Sequence, residues 1–143
     1  LSQGVIECER GLHIFPNGDY YKGSIQKNKA SGQGTLKYNE IYYVGGWSDN
    51  LPSGEGTEIY EGIFKYKGQF KNGMKHGEGT FVWPEIGTYE GSFYANFIQG
   101  RGVLKLVNST YEGWFYKNKK HGKGKLCYSN GDTYEGEFSN DMK

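Results

Sequence analysis

One spacing governs what this chain can fold into. Tyr21, Tyr43, Tyr66, Tyr89, Tyr111 and Tyr134 recur at intervals of 22 or 23 residues, and each has a glycine two residues on: Gly23, Gly45, Gly68, Gly91, Gly113 and Gly136. Four residues after each tyrosine stands a large apolar side chain (Ile25, Trp47, Phe70, Phe93, Phe115, Phe138), and nine after the opening glycine comes Gly-x-Gly at Gly32/Gly34, Gly54/Gly56, Gly77/Gly79, Gly100/Gly102 and Gly122/Gly124. A fixed period of this size decides architecture more firmly than local propensity, because stacked units must share one structure and bury their apolar faces on one another. The units run 21–42, 43–65, 66–88, 89–110 and 111–133, with a partial unit at 134–143. Residues 11–20 (GLHIFPNGDY) match the second half of a unit, so the array is 11–143 and residues 1–10 form a lead-in.

Within a unit, apolar and glycine positions alternate with period two, as in Tyr66, Gly68, Phe70 and then Gly77, Gly79, Phe81, Trp83, which is the strand signature. The stretches KNGMKH (71–76) and KNKKH (117–121) are of hairpin-loop length, and PNGD and SNGD between units carry the same turn chemistry. Every connection is short, so the strands must form an antiparallel meander. Glycine normally weakens a strand; its return on the aromatic face is explained if each glycine seats a ring from a neighbouring strand against bare backbone. The expected fold is all-β, a single twisted sheet of eleven or twelve strands that grows along the repeat axis.

These residues resemble the MORN repeat, whose pattern is Tyr-x-Gly-x-aromatic, then Gly-x-Gly, an apolar strand and an Asn-Gly-Asp-like turn. The resemblance covers residues 11–143; Ile25 replaces an aromatic in the first unit, and Pro52 and Glu58 depart from the pattern in the second. It implies an elongated single-layer antiparallel sheet of tandem hairpins, stacked through Tyr43, Trp47, Tyr66, Phe70, Tyr89, Phe93, Tyr111 and Phe115. It also implies a non-catalytic scaffold or protein-interaction module in a cytoskeletal, ciliary or axonemal assembly. Two other roles follow from the same resemblance: the regulatory repeat region of a longer enzyme such as a phosphatidylinositol phosphate kinase, and a phospholipid-binding recruitment module.

Composition narrows these roles. Only 35% of the chain is hydrophobic, which is too little for a two-layer core, yet 24 of its 143 residues are Phe, Trp or Tyr, where a disordered chain would be poor in aromatics. A net charge of +1 argues against a nucleic-acid partner and leaves only weak attraction to anionic phospholipid. Cys8 and Cys127 cannot form a disulfide framework, and neither a signal peptide nor an apolar run of membrane length is present, so a cytoplasmic protein is expected, and the resemblance implies association with the cytoskeleton or a cilium. The chain stops ten residues into its sixth unit, from which we expect a longer polypeptide or self-association through an open sheet edge.

Catalytic chemistry finds no foothold. The Gly-x-Gly pairs precede no helix and so do not form a phosphate cradle. His76 and His121 are equivalent repeat positions, not a metal pair, and no nucleophile with its base can be singled out. No cofactor, metal or active site is expected. On the face opposite the tyrosines, the fourth and fifth units change from polar residues to aromatics and cations: Tyr94, Arg101, Lys105, Trp114, Tyr116, Lys123 and Lys125. Interfaces are enriched in Trp, Tyr and Arg, which makes these seven the candidate partner surface.

Overall fold

A computed structural model describes residues 9–143. Among them are twelve strands: β1 (Glu9–Ile14), β2 (Tyr20–Gln26), β3 (Lys29–Tyr38), β4 (Ile41–Ser48), β5 (Leu51–Tyr60), β6 (Phe64–Lys71), β7 (Met74–Trp83), β8 (Gly87–Tyr94), β9 (Phe97–Leu106), β10 (Ser109–Tyr116), β11 (Lys119–Tyr128) and β12 (Thr133–Phe138). They form one antiparallel sheet in strict sequence order, with no second layer. Twelve strands at the usual spacing near 4.8 Å extend about 50 Å along the repeat axis. The sheet class, strand number and meander agree with the sequence reading. Of the lead-in, residues 1–8 lie outside the described residues, and Cys8 with them.

The hairpin loops are tighter than the sequence suggested. Lys71 and Met74 already pair, leaving only Asn72 and Gly73 in the turn, and Lys117 and Asn118 alone connect β10 to β11. Both central residues of these turns have positive φ, as do Asp49 and Asn50, or Ala95 and Asn96. That is the mirror-image turn whose twist matches the flanking strands, and it favours Asn, Asp and Gly.

Inside each unit the ladder is interrupted once, at the same place. Gly68 faces Gly79 and Phe70 faces Lys75, so the single residue Gln69 stands opposite three, His76–Glu78. The break recurs at Ser24, Gly46, Ser92 and Trp114. At each break the opening tyrosine curls back and its hydroxyl donates to the carbonyl three residues on: Tyr43 to Gly46 at 2.7 Å, Tyr66 to Gln69 at 2.8 Å, Tyr89 to Ser92 at 2.8 Å, Tyr111 to Trp114 at 2.9 Å. The bulge and the tyrosine are therefore one device.

The three repeated glycines have different tasks. The second of each Gly-x-Gly is the ring seat: a Cβ on Gly79 would lie 2.6 Å from Cζ of Tyr66. The opening glycine faces that seat across the strands, and a Cβ on Gly68 would meet the Glu78 carbonyl oxygen at 2.6 Å. The first glycine of each Gly-x-Gly is not a seat. Gly77 sits in the bulge with φ of 106°, a backbone that L side chains rarely adopt, and a Cβ there would point at Gln69.

The tyrosines and following aromatics build the core as a single file. Tyr43 touches Trp47 of its own unit and Phe70 of the next; Tyr66 touches Phe70 and Phe93; Tyr89 touches Phe93 and Phe115; Tyr111 touches Phe115 and Phe138. All are edge-to-face at 4.9 to 5.4 Å between centroids. Each such pair contributes about 0.5–1.5 kcal/mol beyond burial, and each of these four tyrosines ties two units together. Tyr66 and Tyr89 have no exposed surface at all. Burial pushes the Tyr43 phenol up to about 12 and raises those of Tyr66 and Tyr89 further. The eight residues named from the resemblance as the stack are thus all members of this file.

Adjacent units are also clamped at their turns. Asn96 donates its backbone N–H to the Lys75 carbonyl and accepts the Lys75 N–H on its side chain, at 2.9 Å each way. Asn50 does the same to Ala30, Asn118 to Ile98 and Asp141 to Lys120. At the other long edge Asp19, buried in the first inter-unit turn, accepts the Asn39 N–H at 3.0 Å and pairs with Lys37 at 3.1 Å. Those contacts hold its carboxyl below the usual range.

Candidate functional site

The two faces of a one-layer sheet are both available to partners, so the site must be sought on each. On the face away from the tyrosines, Trp114 and Tyr116 are each 46% exposed, and Tyr94 lies 4.8 Å from the His76 ring. Lys117 Nζ stands 5.4 Å from the Tyr116 ring centroid. The structure brings Arg101, Lys123 and Lys125 together around one shallow depression of about 400 Å³. Glu112, Glu135 and Glu137 line the same depression. Lys125 lies opposite Glu112 on one side and Glu135 on the other, Lys123 lies opposite Glu137, and Arg101 reaches Glu112 at 3.6 Å. The cations seen in sequence are interleaved with acids across the strands, which cancels most of their field. Tyr94 and Lys105 lie outside this depression; Lys105 is opposite Thr88 and Thr110.

The tyrosine face holds a larger and quite different feature. Over the third to fifth units a groove of about 570 Å³ runs across the strands, with Phe93 and Phe115 in its floor. Trp83, Ile86 and Leu106, near the inter-unit turns, form one wall, and Lys75, Asn96 and Asn118, from the hairpin-turn side, form the other. Ile86 is 61% exposed, and Val107 beyond Leu106 is 73% exposed, so the apolar wall continues over the edge of the sheet. A second apolar groove of about 480 Å³ lies over the first unit, between Phe15, Ile25, Leu36 and Trp47.

Between the two grooves the same face carries an ion pair. Glu58 occupies the slot facing the opening tyrosine that Leu36, Phe81, Leu104 and Leu126 fill in the other units. Its carboxylate meets Lys75 Nζ at 2.7 Å and accepts the Tyr38 hydroxyl at 3.1 Å. The two charged side chains are only 14% and 15% exposed, and the ammonium lies within 6 Å of the Phe64, Tyr66 and Phe81 rings. Burial and the Glu58 charge push the Tyr38 phenol up to about 12. Among the described residues no three His, Cys, Asp or Glu side chains are grouped to hold a metal ion.

The repeated tyrosine, bulge and glycine geometry coincides with a family pattern. Residues 21–40, 43–65, 66–85, 89–110, 111–133 and 134–143 match the MORN repeat. The chain is a MORN-repeat protein. MORN repeats are modules that engage proteins or membrane lipids. No curated relative matches this MORN array. Among its described residues no helix is long and apolar enough to cross a membrane.

The tyrosine-face groove was missed by sequence reasoning, which looked for a partner surface where aromatics and cations replace polar residues on the opposite face. The available signal was Trp83, Ile86 and Leu106. Ile86 and Leu106 lie at the inter-unit turns and stay exposed, while Trp83 packs on Phe81 and lines the groove with them.

Proposed function

We propose that this MORN array is a non-catalytic scaffold that docks a protein segment in the groove over its third to fifth units. The observation that supports the reading is the groove itself: an aromatic floor and an exposed apolar wall, on a sheet over which the described residues place no second layer. An exposed apolar surface of this kind marks an interaction site, and the interleaved charges opposite favour protein over anionic lipid. The wider setting we propose is a cytoplasmic assembly of the cytoskeleton or cilium, as the family resemblance suggests.

The test pairs an Ile86→Asp/Leu106→Asp variant with Trp114→Ala and a Lys119/Lys123/Lys125→Gln triple, each assayed for recovery of cellular partners and for sedimentation with anionic liposomes. The groove variant should lose partner recovery while keeping its melting temperature. If partner recovery survives the groove variant and falls with Trp114→Ala, the opposite face is the docking surface. If liposome binding is strong and the lysine triple abolishes it, the array is a lipid module.

A further inference from the structure

The junction between the second and third units differs from its neighbours in two coupled ways. At the four other junctions between successive units the turn residue makes reciprocal hydrogen bonds to the preceding unit, through its backbone N–H and its side-chain oxygen. Here the turn residue is Gly73, which has no side chain to accept, and the residue it faces is Pro52, which has no N–H to donate. One bond remains, Gly73 N–H to the Pro52 carbonyl at 2.9 Å. The substitutions match: either alone would leave a clamp group unpaired at the turn, and together they remove one bond and leave none.

The same junction carries the Glu58–Lys75 pair. Glu58 belongs to the second unit, Lys75 to the third, and Tyr38, the second donor to the carboxylate, to the first. An apolar contact in this slot would keep its grip whatever the ionic conditions. A charged pair holds two units only while both charges are present, and removing one partner leaves the other buried and uncompensated.

We propose that this junction is the joint of the ribbon: the array flexes between β5 and β6, and the Glu58–Lys75 pair is the latch that replaces the missing half of the clamp. The latch is also linked to the groove, because Lys75 lines it. A docked segment whose acidic group draws the Lys75 ammonium away from Glu58 would loosen the joint, and by linkage a loosened joint would favour such a segment. That link rests on the docking reading above, whereas the joint itself does not.

Hydrogen exchange of the free protein tests the joint without any partner. Glu58→Gln keeps the shape of the side chain and removes its charge. The Gly73 amide, which bonds across the joint, should then exchange at least tenfold faster, with the equivalent amides of Asn50, Asn96 and Asn118 unchanged. Lys75→Met should reproduce the effect from the other partner. Restoring the clamp with Pro52→Ala and Gly73→Asn in the Glu58→Gln background should return Gly73-position protection to that of Asn96; a Cβ at Gly73 meets only Leu51 and Pro52 at ordinary distances of 3.4 and 3.9 Å. The proposal is overturned if Glu58→Gln leaves the Gly73 amide as protected as before, or if all junctions lose protection together.

Discussion

The two faces of this sheet are made from the same strands, residue by residue in alternation, and they organise matter in opposite ways. On the tyrosine face the side chains reach along the repeat axis and touch the next unit, ring edge to ring face. Across the sheet, acids and bases answer one another between neighbouring strands, as Lys125 does between Glu112 and Glu135. One face holds the array together through buried contacts, and the other is a solvated ladder of weak pairs, each contributing at most about 1 kcal/mol. Stability therefore resides on the tyrosine side, in the rings, and the docking we propose would use the apolar residues left uncovered beside them.

This contrast can be broken most severely at a ring seat. Gly79→Ala would place a methyl 2.6 Å from Tyr66 Cζ, and we expect a loss of about 3 kcal/mol or more in chemical denaturation, the scale of overpacking a core. Thr80→Val, one residue away on the other face, should change stability by less than about 1 kcal/mol. Equal losses would mean the two faces are energetically alike.

Smaller effects separate the parts of the tyrosine device. Tyr66→Phe keeps the ring and deletes the hydroxyl bond to Gln69, which should cost about 1–2 kcal/mol by leaving a carbonyl unpaired. Asn96→Gly tolerates the positive φ of that turn and removes only the side-chain half of the clamp, for a loss of about 1 kcal/mol. Trp114→Ala should fall below about 0.5 kcal/mol in the same assay, since its ring is not part of the file.

Alkaline titration offers a view of the faces without mutation. The buried tyrosines favour the neutral phenol in the folded state, so their stabilisation is complete below the ordinary tyrosine value near 10. It is lost as pH rises toward the values of about 12 reached by Tyr38 and Tyr43. Absorbance at alkaline pH should show Tyr43, Tyr66 and Tyr89 ionising only as the sheet unfolds, and their ionisation with the sheet intact would contradict the burial described here.

Much of this arrangement is legible in the sequence, because alternation and a fixed period specify strand, face and neighbour together. Tyr66, Gly68, Phe70 and Gly79 can each be placed on the correct face from spacing alone. Three things escape that logic. Gly77 shares the parity of Gly79, but its role depends on a backbone angle within the bulge, which alternation does not encode. Glu58 reads as a flaw in an apolar slot until Lys75, seventeen residues on, is brought beside it. The groove over Phe93 and Phe115 is a consequence of what does not pack above them, and a pattern of residues records contacts more readily than vacancies.

The single file of rings has a consequence for how such a chain can change its length. Because Tyr66 is enclosed by Phe70 of its own period and Phe93 of the following one, the block that buries a tyrosine straddles the boundary that the sequence period draws. Among the rings themselves no cut point is privileged. From the third unit on, excising or inserting 22 or 23 residues leaves Tyr66, Tyr89 and Tyr111 each with an aromatic on both sides, and the array can be shortened or extended there by whole steps. An insertion of a single residue within a strand has the opposite effect, turning every later ring of that strand to the charged side. Growth by duplication is thus smooth in one increment and forbidden in almost all others.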